Sequence, residues 1–216
     1  MIIKTLVSAL MGYLLGSISP SYIISKKKKV DLRKKGTGNL GASNAFINFG
    51  KKYGILVMTF DILKAWAAVK LSQLFFPAVA LAGIASGSAA VMGHNHPFYL
   101  KFKGGKGIAA FGGFVLAYSW QQFLILLAIC LTIAIIANYS CILSFSAAIL
   151  FPFMVAYKTW QDGLSIGYII AAFIIVSIPM VSITVKHREN LHRIKSGEES
   201  KFSSFMTKYI FTSKNK

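Results

Sequence analysis

The positive charge of this chain is confined to a few short segments. Twenty of its 24 Lys and Arg residues fall within Lys26–Lys52, within Gly93–Gly107, or from Lys186 onward. Long apolar stretches separate them. A soluble fold spreads its charges over its whole surface, whereas a chain that crosses a bilayer repeatedly keeps Lys and Arg in cytoplasmic loops. With 55% hydrophobic residues over 216 positions and a mean hydropathy of +0.60, the chain reads as an integral membrane protein. The net charge of +18 does not argue for nucleic acid, because it lies on no soluble face and accompanies no nucleic-acid motif. A basic rim against anionic lipid headgroups accounts for it, and Lys26, Lys27, Lys28 and Lys29 read as topology and lipid contacts.

A membrane helix needs about 20 apolar residues. Candidates run over 2–24 (interrupted at Ser19 and Pro20), 53–76, 78–92, 108–118, 122–137, 141–157 and 163–185. The fold class is therefore all-α and polytopic, with about seven transmembrane helices in a single membrane-embedded domain spanning 1–216. The fourth stretch is short enough to be re-entrant. Seven spans place all three basic segments on one side, so the motif loops and C-terminus are cytoplasmic and the N-terminus is outside. The N-terminal stretch reads as a retained helix rather than a signal peptide. The small-residue run Gly83, Ser86, Gly87 and Ser88 suits close helix packing. Cys130 and Cys141 lie in apolar stretches and fit neither a disulfide framework nor a metal site. Residues 197–216 are polar and suit an interfacial or frayed tail.

The basic segments also hold the groups able to do chemistry. The first reads Gly36-Thr37-Gly38-Asn39-Leu40-Gly41-Ala42-Ser43-Asn44, with Arg33, Lys34, Lys35, Lys51 and Lys52 close by. Glycines that permit unusual dihedrals, uncharged hydrogen-bonding groups and positive potential together suit an anionic, oxygen-rich ligand. A turn-rich loop without function is the alternative. The second segment contains His94, His96 and Phe102-Lys103-Gly104-Gly105-Lys106-Gly107 ahead of a helix. Such a turn can aim backbone N–H groups at a phosphate. It is not a Walker A loop, since Ile108 follows Gly107, so nucleotide hydrolysis is disfavoured. In the third segment His187 and Asn190 share one helical face. Asp61 and Lys64, also three residues apart but within an apolar stretch, read as a self-neutralising structural pair. No serine-hydrolase set, HxxxxD box or zinc signature is present. An enzyme built from these residues would need an activated substrate and would rely on positioning and electrostatics.

These motifs, in this order and over almost the whole chain, resemble the bacterial PlsY family of acyl-phosphate-dependent glycerol-3-phosphate acyltransferases. The resemblance rests on Gly36–Asn44, on Gly50–Gly54 with Asp61 and Lys64, on Gly93–Gly107, and on His187–Asn190 with Gly197 and Glu198. It implies transfer of a fatty acyl group from acyl phosphate to the 1-hydroxyl of glycerol 3-phosphate in phospholipid biosynthesis, giving lysophosphatidic acid and phosphate. The location implied is the bacterial inner membrane. By position, the resemblance assigns catalysis to His187, Asn190, Thr37 and Lys106. It assigns substrate binding to Gly38, Asn39, Gly41, Asn44, His94, Lys103, Gly104, Gly105 and Gly107, and structural roles to Asp61, Lys64 and Glu198. The partners implied are the two substrates and membrane lipid, with no cofactor, no metal and no nucleic acid. There are two departures. Ile47 stands where the family usually has Arg, three residues after Asn44, and Asn138 stands where Arg is common. A divergent relative with altered or lost turnover, and a small anion transporter, are the alternative readings.

Overall fold

The computed structural model describes residues 1–206, and every regular element among them is helical. The first apolar stretch is two helices, α1 (Ile2–Ser17) and α2 (Pro20–Lys27). Ser19 and Pro20 cause the break. Proline cannot continue a helix through its missing N–H but fits the first turn of a new one, and the Ser19 side chain accepts from the Tyr22 N–H at 3.3 Å. The break leaves the Ile18 carbonyl available at the end of α1.

The first basic segment is a folded lobe rather than a flexible loop. A 3-10 turn (Leu32–Lys34) leads to α3 (Ala42–Phe49), which packs on α4 (Lys51–Phe75). Leu32, Leu40, Ala45, Val57 and Leu100 form a small apolar core of their own beneath it. Then follow α5 (Ala82–Asn95), α6 (Ile108–Tyr118), α7 (Trp120–Ala137) and α8 (Ser140–Gln161). The chain continues through α9 (Ile166–Lys186), α10 (Arg188–Lys195) and α11 (Phe202–Met206).

Helices thus occupy all seven apolar stretches. Among the described residues, four segments are long and apolar enough to cross a membrane: Ile2–Lys27, Trp120–Ala137, Ser140–Gln161 and Ile166–Lys186. Ile125, Ile129, Ile133 and Ile136 of α7 are exposed, as a lipid-facing surface requires. The short α5 is almost wholly buried. Its small residues let α1 lie directly against it: a Cβ added at Gly12 or Gly16 would overlap the carbonyl of Ser86 or Ala90. This small-xxx-small contact is the usual device where lipid removes the hydrophobic drive for helix pairing. The larger core is built around Phe114 and Phe151, whose rings meet edge to face with centroids 5.4 Å apart.

Candidate active site

The three basic segments converge at one end of the bundle. At their centre, Lys106 Nζ donates to Asn190 Oδ1 at 2.5 Å, and Asn190 Nδ2 donates to Glu199 Oε1 at 2.7 Å. Glu199 is held in turn by Arg193, whose Nε lies 2.6 Å from Oε2. Burial, with Arg193 the next cause, draws the Lys106 ammonium below the ordinary lysine range. His187 and Asn190 do come together, but not on one continuous helix. His187 is the junction residue between α9 and α10, and both side chains are buried. His187 Nδ1 lies 2.8 Å from the Ile183 carbonyl. That oxygen can only accept, so Nδ1 carries the proton and Nε2 is left as the acceptor. Burial is the main reason that the His187 imidazole is lowered to about 4, opposed by the bond to Ile183 and reinforced by nearby Lys106.

Two cavities meet at this centre. One, of about 610 Å³, is polar and basic; Arg33, Thr37, Gly38, Lys103, Lys186 and Arg188 are among its walls. The other, of about 490 Å³, is largely apolar. It runs from Ser43 and His187 along α6 to Leu116, Phe123 and Leu126. Asn39 and Lys106 line both.

Several residues stand elsewhere than the sequence suggests. Asn44, expected to face a ligand, is fully buried and knots its own lobe together. Its Nδ2 donates to the carbonyls of Leu32, Lys35 and Asn39 at 2.8, 3.1 and 2.8 Å, and its Oδ1 accepts from the Thr37 N–H at 2.9 Å. The N–H groups of Gly104 and Gly105, expected to be free for a phosphate, are bonded at 3.1 Å to the carbonyls of Asn95 and His94. These glycines serve close packing on the end of α5, and the cation of the turn is left to face the cavities. Gly107 adopts φ +90° as it opens α6. Gly41 opens α3. His94 is buried, with its ring against Asp61 and Lys64, which pair at 2.7 Å. Lys103 is exposed at the rim of the polar cavity. Glu198 is exposed, and its neighbour Glu199 makes the bonds to Asn190 and Arg193.

Ile47 is 48% exposed and lines neither cavity. Two guanidinium groups, those of Arg33 and Arg188, line the polar cavity instead, and Arg33 is oriented by Asp31 at 2.9 and 3.0 Å. Asn138 holds a left-handed turn between α7 and α8 at φ +58°, a conformation that Asn tolerates. Its carbonyl and side chain accept from the N–H groups of Phe202 and Ser203, both at 2.9 Å. This clasp fixes the segment carrying Glu199. His96 Nε2 and Asn95 Nδ2 both reach Ser182 Oγ, at 2.9 and 2.8 Å, and tie the second segment to α9. Among the described residues, no three His, Cys, Asp or Glu side chains converge as a metal site needs.

The profile of the family described as Glycerol-3-phosphate acyltransferase matches residues 6–197. The chain belongs to this family. A glycerol-3-phosphate acyltransferase of Aquifex aeolicus is 36% identical over 202 residues, covering 92% of this chain and all of that protein. One from Geotalea daltonii is 37% identical over 194 residues, covering 88% of this chain and 94% of the relative. Among solved structures, PlsY, an integral membrane glycerol 3-phosphate acyltransferase, superposes in its glycerol 3-phosphate form with a TM-score of 0.75. The two are 34% identical, over 92% of this chain and 95% of that one. The lysophosphatidic acid form gives 0.72 at 32% identity, over 91% and 94%. This acyltransferase is thus an all-helical integral membrane protein.

Proposed function

We propose that this acyltransferase moves a fatty acyl group from acyl phosphate to the 1-hydroxyl of glycerol 3-phosphate. The observation that carries the reading is the meeting of a basic cavity and an apolar one at Lys106. Both substrates present phosphate, which suits the polar side. Only the acyl tail suits the apolar side, which follows α6 into the bundle. The relatives' names and the bound states of the PlsY structures support the acceptor and the product.

The chemistry follows from the residues present. Lys106, with Arg33, Lys103, Lys186 and Arg188 around it, offsets the phosphate charge and holds the two substrates together. Asn190 fixes where the Lys106 ammonium lies. The neutral His187 accepts the acceptor's hydroxyl at Nε2 and orients its oxygen toward the acyl carbon. The new C–O ester bond forms as the C–O bond to phosphate breaks. As that bond forms, the hydroxyl proton passes from its hydrogen bond with Nε2 to the departing phosphate, so His187 orients the hydroxyl without becoming its net base. Thr37 adds a hydroxyl on the polar wall.

The location that fits is the bacterial inner membrane. Seven crossings would put the N-terminus outside and the active face, with its anionic-lipid contacts, in the cytoplasm. The positive-inside rule supports that orientation. The test is phosphate release by the purified protein in lipid, given palmitoyl phosphate with and without glycerol 3-phosphate, with the lipid product identified. Acceptor-dependent release with lysophosphatidic acid formation is expected. A folded protein that yields neither, beside an active family member, would refute the assignment.

A further inference from the structure

Asp61, Lys64 and His94 form a buried polar set; Asp61 and His94 border the apolar cavity, but no step of the proposed acyl transfer passes through the three. Lys64 Nζ lies 2.7 Å from Asp61 Oδ1 and 3.0 Å from His94 Nδ1, and it donates to the Ile18 carbonyl at 2.7 Å. Asp61 Oδ1 is 3.2 Å from the same imidazole nitrogen. No side chain of the three is more than 6% exposed. Burying such groups between apolar helices is costly, and an apolar trio would hold the helices together as well.

What the set does hold is the orientation of one ring. The His94 imidazole is gripped at Nδ1, and its other edge is the surface on which Gly105 rests. A Cβ at Gly105 would overlap His94 Nε2. A Cβ at Gly104 would overlap the His94 carbonyl, and one at Gly107 the Asn95 side chain. The carbonyls of His94 and Asn95 take the N–H groups of Gly105 and Gly104. The turn that carries Lys106 is therefore moulded on His94 and Asn95 at three of its glycines.

We propose that Asp61 and Lys64 are positioning residues: they lock the His94 ring, and the ring sets the turn that aims Lys106 at the phosphate of the substrate. The inference rests on the reading of Lys106 as a phosphate-binding group. It assigns a catalytic purpose to charges that the sequence marks only as a self-neutralising pair.

The test is a double-mutant cycle of His94→Ala and Gly105→Ala, with steady-state kinetics for glycerol 3-phosphate and a thermal unfolding midpoint for each protein. Gly105→Ala should raise KM about tenfold by pushing the turn off the ring, and His94→Ala should raise it severalfold by removing its seat. Because the added methyl fills the space left by the ring, the double variant should be no worse than Gly105→Ala alone. A Gly105→Ala protein too unstable to assay, but folded again with His94→Ala, would support the same coupling. KM increases that simply multiply would overturn the proposal. Asp61→Asn supplies the second readout. It should raise KM with kcat changed less than about threefold; loss of folded protein with KM unchanged would reduce Asp61 to a fold residue and sink its positioning role. Failure of the wild-type protein to form lysophosphatidic acid in the same assay would instead remove the functional reading.

Discussion

His187 is the group whose behaviour the structure specifies most sharply. Its Nδ1 is committed to the Ile183 carbonyl, and the ring is buried, with Lys106 nearby. An ordinary imidazole titrating near 6.5 is only about one-tenth neutral at pH 5.5. With its value lowered to about 4, His187 is about 97% neutral at the same pH. The difference corresponds to about 3 kcal/mol against charging the ring. Proton NMR of the imidazole carbons separates this from titration of the substrate, whose phosphate also protonates near pH 6. The chain has four histidines, so the His187 signal is assigned by its loss in His187→Asn. It should hold its position from pH 8 down to pH 5.5 in the protein without ligand. A midpoint between 6 and 7 would refute both the burial argument and the role of Nε2 as a standing acceptor. The sign for stability follows. The unfolded chain takes up this proton near 6.5 and the folded one only near 4, so the His187 contribution is intact above pH 6.5 and is lost on acidification toward 4.

Other substitutions probe the scaffold and the site separately. Asn44→Ala strips bonds from three carbonyls and one N–H of the first lobe, and should cost about 2–4 kcal/mol, read as a lowered unfolding midpoint in detergent. Gly16→Ala should force α1 away from Ala90 and lower the unfolding midpoint by several degrees; an unchanged midpoint would contradict the close helix contact. Glu199→Ala should cut kcat about tenfold, because Asn190 loses the partner that orients its amide toward Lys106, whereas Glu198→Ala should leave kcat within about twofold.

The helices of this protein were legible because lipid imposes one simple demand, a sustained apolar run bounded by charge. The break at Ser19–Pro20 was equally visible, for it is a local matter of one missing N–H. The lobe of α3 was not. Gly41, Ser43, Asn44 and Gly50 have the composition of a turn, and only burial of Leu32 and Ala45 against Val57 makes a helix of 42–49. At the site, Lys106, His187 and Asn190 stood out as residue types suited to a phosphorylated substrate. The choice of Glu199 over Glu198 did not, since adjacent carboxylates look alike until Asn138 clasps the following residues and fixes the register. Arg33 was visible only as one of five nearby cations, and the sequence could not single it out from Lys34, Lys35, Lys51 and Lys52 as the one on the cavity wall, where Asp31 orients it. The pairing of Asp61 with Lys64 could be read from helical spacing, but His94, the third member, comes from another helix.

The two cavities that join at Lys106 have a further consequence for turnover. Of the two products, inorganic phosphate belongs to water and lysophosphatidic acid to the bilayer. On the proposed reading, a basic cavity and an apolar one joined at Lys106 give the two products separate ways out. Phosphate would leave by the basic side, and the new lipid along the apolar cavity walled by α6 and α7. Where lateral escape of the amphiphile limits turnover, kcat should rise with the fluidity of the host membrane.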